Sequence, residues 1–145
     1  MRSESEAFPM SSGSTSRPII APGNGGLAAL DAVVVIAVLI AGELQHGFDP
    51  LHDPLRVAGT LAPFLLGWLV FAGVAGLYAR TDRPLVADLR LLVVTWFAAA
   101  NVGLVLRSSP WLHGGVTWPF GPVVTGTVLV ALVAWRIVFD ALTRG

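Results

Sequence analysis

The chain has 145 residues, 54% of them apolar and 12% charged, and nine arginines balance nine acids with no lysine present. The charged share is about half that of a soluble domain, and the length suits one small bundle rather than two ordinary domains. A neutral chain with so few charges has no basic surface for nucleic acid, and the absence of cysteine removes disulfides, thiolate metal sites and a cysteine nucleophile.

Residues 1–26 are rich in Ser, Gly and Pro, carry acids and show no apolar periodicity, so they read as a disordered tail. A secretory signal over residues 1–45 is the rival reading. Against it, the apolar stretch begins late, contains Asp31 and lacks a small-x-small cleavage site.

Crossing a bilayer core takes about 20 apolar helical residues, and four segments meet that demand. The first, 27–45, is interrupted by Asp31 and Glu43, and the second, 57–79, is uncharged throughout. The third, 85–106, is uncharged from Leu91 onward, and the fourth, 119–139, carries Arg136 near its end. The expected fold class is all-α: a polytopic membrane protein with four transmembrane helices in a bundle, residues 27–145 forming the membrane domain. A soluble helical bundle is excluded because no segment has the charged face of a surface helix.

Arginine placement gives an orientation. Arg2, Arg17, Arg80, Arg83 and Arg144 fall on one side, and only Arg56 and Arg107 on the other. A multi-pass protein of the cell membrane with both termini cytoplasmic is therefore expected, with loops 46–56 and 107–118 outside. Tyr78, Trp111 and Trp118 fall at span ends, as aromatic anchors do. Pro63 and Pro119 fall near helix starts, where a missing N–H costs little. Thr60-Leu-Ala-Pro63-Phe64 and Thr117-Trp118-Pro119-Phe120 suggest a tandem two-helix repeat in parallel orientation.

Polar groups within a membrane normally face the bundle interior. At 100° per residue, Asp31, Gly42, Gln45 and His46 share one face of the first helix. Arg90, Asn101 and Ser108 share a face of the third, and Thr125, Arg136 and Asp140 one of the fourth. Asp31, Arg90, Arg136 and Asn101 are thus expected to form an intramembrane polar cluster. Asp31 should pair with Arg136, or with Arg90 as second candidate; for the arginines the alternative is snorkelling to the headgroups. Outer-face candidates are Glu43, His46, Arg107 and His113. With Asp49, His52 and Asp53 nearby they invite comparison with a zinc site, but His46 and His52 lack helical i, i+4 spacing, and no metal is expected. No HExxH, phosphate loop or nucleophile elbow occurs, so no catalytic residue and no cofactor is expected.

Asp31, Gly42 and His46, then Thr60 with Pro63-Phe64, Gly103-Leu-Val-Leu-Arg107 and Trp135-Arg136, together resemble a small prokaryotic membrane family catalogued as domain of unknown function 3054. The likeness covers residues 27–142. The sequence departs from the family pattern at Glu43 and Gln45, where a basic residue and a serine are expected, and at Ala62, in place of a tryptophan. Those departures fall where any outer-face anion or headgroup site shared with the family would lie, and none is carried over on the resemblance alone. The resemblance implies a bacterial or archaeal inner-membrane protein of four spans, with no activity to transfer.

Function is expected to be non-enzymatic: a small transport or channel-like module whose polar stripes line a solute path. Four helices make a thin wall, so this reading requires a homo-oligomer, for which Ala72 with Gly76 and Ala99 with Gly103 offer small-residue spacing. A metal-dependent membrane enzyme or binding protein using the outer His, Asp and Glu side chains is the alternative, and a structural membrane subunit the third. The bilayer is the partner the composition demands; nucleic acid is not.

Overall fold

The computed structural model describes residues 24–80, 82–112 and 115–144. It contains four helices: α1 (Gly25–Gln45), α2 (Pro54–Val74), α3 (Leu85–Arg107) and α4 (Phe120–Arg144). All four are long and apolar enough to cross a membrane. The expected tail lies almost wholly outside the described residues, as does His113.

Each helix packs on its neighbours in sequence, and α4 closes the ring on α1. The start of α1, the end of α4 and the α2–α3 connection lie at one end, here the termini end. The α1–α2 and α3–α4 connections lie at the far end.

Local chemistry sets the helix limits. Pro54 opens α2, its fixed φ suiting the first helical position. Gly76 adopts φ 62°, a left-handed value that costs a glycine little. The Leu77 amide can therefore turn back and donate to the Ala72 carbonyl at 2.9 Å, closing a Schellman end. Gly47 (φ 81°) ends α1 in the same way, with Phe48 N–H donating to the Glu43 carbonyl at 3.0 Å.

These ends shift the expected spans. α2 begins and ends earlier than 57–79, because the glycine turn stops it before Tyr78. Pro63 consequently lies inside α2, where its ring removes an intrahelical bond, and not at the helix start. Pro119 immediately precedes α4, so the two Pro-Phe pairs occupy different turns of their helices. That register does not follow the proposed repeat.

The core is aromatic at the α2–α3 contact. Trp68 and Trp96 have ring centroids 6.0 Å apart, and Phe64 stacks 6.4 Å from Trp96. Val35 and Leu39 of α1 and Val128 and Leu132 of α4 complete the cluster. The Trp96 indole N–H donates to the Thr125 carbonyl at 2.8 Å, giving the buried ring a polar partner.

Two glycines set the α2–α3 spacing: a Cβ on Gly67 would stand 2.6 Å from the Ala99 carbonyl oxygen, and one on Gly103 2.6 Å from the Phe64 ring. The small residues expected to serve oligomer contacts are therefore spent within the chain. Ala72 and Ala99 are buried in its core, and Gly76 lies beyond the end of α2. Outward faces carry Val33, Leu66, Leu69, Val70, Val94 and Val130, an apolar exterior suited to lipid.

Candidate functional site

Polar side chains gather at both ends of the bundle. At the termini end, Asp31 is completely buried, and Arg136 is 3% exposed. Arg136 Nη2 donates to Asp31 Oδ2 at 2.5 Å, and Nε reaches both carboxylate oxygens at 3.2 Å. Arg136 Nη1 bonds Asp88 of α3. The Tyr78 hydroxyl, carried inward by the Gly76 turn, donates to Asp31 Oδ2 at 2.7 Å.

Arg83 donates to the Gly76 and Leu77 carbonyls at 2.8 and 3.2 Å, and lies 3.9 Å from Asp88. Asn24 donates to the Tyr78 and Arg80 carbonyls at 3.1 and 2.9 Å, so α1, α3, α4 and the α2–α3 connection are tied into one network. Burial, followed by the charge of Asp31, pushes the Tyr78 phenol well above its ordinary pKa. Two carboxylates meet two guanidiniums here. The network is neutral and saturated, which suits a lock better than a reactive centre.

Of the expected intramembrane cluster, the structure brings Asp31 and Arg136 together and leaves the other two residues outside. Arg90 is exposed. Asp88, two residues earlier and so on the opposite helix face, supplies the α3 contribution. Asn101 is also exposed and donates to its own helix at the Phe97 carbonyl, 2.7 Å away, so it needs no interior partner. Arg136 does not snorkel. Tyr78, 5% exposed, is a member of the buried network and not a headgroup anchor, whereas Trp111 and Trp118 are 86% and 85% exposed.

The far end is organised differently. Glu43 of α1 and Arg107 of α3 are buried, 6% and 7% exposed. Arg107 Nη1 donates to the Thr60 hydroxyl of α2, and the guanidinium faces the Phe120 ring of α4 at 4.8 Å. Arg107 Nε is buried and has no hydrogen-bond partner among the described residues. Arg56, exposed, lies 3.5 Å over the Phe48 ring.

These groups adjoin two neighbouring hollows. One, of about 420 Å³, is lined by Glu43, His46, Arg56, Arg107 and Phe120. The other, of about 290 Å³, runs between α1 and α4 past Val38, Leu39, Gly42, Val123 and Val124. Glu43, His46, Phe120 and Val123 border both. Among the carboxylates and guanidiniums of the larger hollow, Glu43 stands against Arg56 and Arg107, leaving one positive charge in surplus.

His46 is exposed at the rim of both hollows. His52 and Asp49 pair with each other at 2.8 Å in the loop, and Asp49 also accepts the Leu51 N–H at 2.8 Å. The Leu51 N–H, then His52, hold the Asp49 carboxyl below its ordinary pKa. Among the described residues no three His, Asp or Glu side chains are placed to hold a metal.

Four apolar helices in a closed ring, with charges confined to its two ends, define a multi-pass all-α membrane protein. The chain matches the family model described as "Protein of unknown function (DUF3054)" over residues 28–139 and belongs to that family. No curated protein and no solved structure matches it.

Proposed function

We propose that this membrane protein is a binding module whose far-end cavity receives an anionic group. The observation that carries this reading is Arg107: a buried guanidinium with an unpartnered Nε, beside a cavity with one surplus positive charge. Arg107 already has Thr60, the Phe120 ring and the nearby Glu43 carboxylate, but a buried guanidinium N–H without a hydrogen bond still costs stability until a partner arrives. A bidentate oxyanion is the partner that guanidinium geometry favours.

Both termini are cytoplasmic in this reading, which places the cavity outside; the support is the arginine excess around the termini end. A solute path along the bundle axis has less support, because Phe64, Trp68, Trp96, Val35 and Val128 pack between the two polar ends. A homo-oligomer built on the small-residue faces has less as well, since Ala99 and Gly103 are used within the chain.

Thermal unfolding of the purified protein in a panel of phosphate, sulfate and carboxylate salts and their alkyl forms, against chloride, tests the proposal. A ligand that binds only the folded state raises Tm. At least one oxyanion should raise Tm in the natural protein and lose that effect in Arg107→Gln. The proposal fails if no anion moves Tm, or if the variant responds equally.

A further inference from the structure

The charged hollow has an apolar annex, and the two together constrain the ligand beyond its charge. The annex lies between α1 and α4 within the membrane-spanning segments, and most of its wall surface is apolar, from Val38, Leu39, Val123 and Val124, although Thr60, Gln45 and Thr127 also border it. A free inorganic anion has no use for such a space. An alkyl chain does, since burying each methylene there is favourable by about 0.8 kcal/mol.

Gly42 stands on the annex wall, and a Cβ added to it would meet nothing within 4 Å. At the shared border, Glu43 and Phe120 bring the annex directly to the cationic hollow. Thr60 occupies Arg107 Nη1, while Nε, part of the edge with which arginine grips an oxyanion in a bidentate way, has no hydrogen-bond partner among the described residues. Arg56 adds a second positive charge from the rim.

We infer that the ligand is a single-chain amphiphile with an oxyanion head, its head against Arg107 and Arg56 and its chain in the α1–α4 annex. This inference rests on the proposed anion site and specifies what occupies it. The apolar annex opens within the spans, so the chain enters from the bilayer and the head stays at the far-end surface.

The test uses full-length protein, delipidated and placed in phosphatidylcholine nanodiscs, with empty discs subtracted. Radiolabelled dodecyl phosphate, inorganic phosphate and dodecanol are the probes. Dodecyl phosphate should saturate at one per chain and bind at least about tenfold more tightly than either other probe. Arg107→Gln should weaken it by about tenfold or more, the loss expected of a charge-assisted contact.

Gly42→Leu, whose Cβ would have open space around it, puts side-chain volume on the annex wall and should weaken it similarly while leaving the fold intact. Should Arg107→Gln fail to fold, Arg56→Gln, on an exposed side chain, carries the headgroup arm. If inorganic phosphate binds as tightly as dodecyl phosphate and Gly42→Leu changes nothing, the amphiphile is overturned and the anion site stands. If dodecanol binds as tightly as dodecyl phosphate, or if neither phosphate probe binds, the anion site falls as well.

Discussion

The buried pair of Asp31 and Arg136 makes a quantitative demand on stability. Removing one partner of a buried ion pair costs roughly 3–5 kcal/mol, chiefly because the other charge is stranded. The structure makes the two removals unequal. After Asp31→Asn, Arg136 keeps Asp88, whose side chain is 19% exposed, so the loss should fall near the low end, about 3 kcal/mol. After Arg136→Gln, Asp31 keeps only the Tyr78 hydroxyl at full burial. That loss should fall near about 5 kcal/mol. In the double variant the neutral Asn can still accept from Tyr78, and much of the damage should be recovered, with a coupling of up to about 3 kcal/mol. Reversible unfolding in mixed micelles, followed by tryptophan fluorescence, measures all four corners of the cycle. Additive losses, with coupling under about 0.5 kcal/mol, would refute the pair as an energetic unit. Equal single losses would refute the assignment of Asp88 as a reserve partner.

Tyr78 is the only tyrosine, so phenolate absorbance at alkaline pH reports on it alone. The folded protein should remain phenolic well above about 10, the value at which the unfolded chain titrates. The raised folded pKa contributes stability that is complete below the unfolded value and is lost as pH rises through the folded one. Gly67→Ala drives a Cβ into the Ala99 carbonyl and should lower stability by about 1–3 kcal/mol in the same unfolding assay. Gly103→Leu should also destabilise, through the Phe64 ring, with no change in the size of the detergent-solubilised particle. For the proposed orientation, single cysteines at Ser12, Asp53, Asp82 and Gly114 should react with an impermeant reagent in intact cells only at 53 and 114. Labelling at 82 reverses the topology.

Asp31 and Arg136 were readable as partners because each is a charge about one turn inside the same end of an apolar span, on the polar stripe of its helix. Glu43 and Arg107 were readable as one layer for similar reasons of depth. Asp88 was not, because it stands two residues from Arg90 at a helix entry, and a helix directs such neighbours about 200° apart. Choosing one of them discards the other. Asn101 shared a stripe with Arg90 but satisfies itself on its own backbone, which no angular plot reveals. Tyr78 fell where interfacial aromatics belong, and only the left-handed turn at Gly76 sends it inward. A glycine in a transmembrane segment is too common to announce that turn. The two hollows depend on the spacing between α1 and α4, which is a property of packing and not of any local pattern.

The separation of 105 positions between Asp31 and Arg136 also has a consequence in time. A ribosome delivers α1 to the membrane long before α4 exists, so its carboxylate enters with no counter-ion. An acid costs about 2.5–3.5 kcal/mol at a span centre on insertion scales, and less at the depth of Asp31, near its span's end. Tyr78 arrives next and offers one hydroxyl, then Asp88 arrives with more negative charge. Asp88 has Arg83 3.9 Å away, but only the last helix brings the guanidinium that the buried Asp31 needs, and until then α1 is held in the bilayer by its aliphatic residues. Biogenesis thus ends on an electrostatic latch: a chain truncated before α4 leaves Asp31 waiting for its arginine.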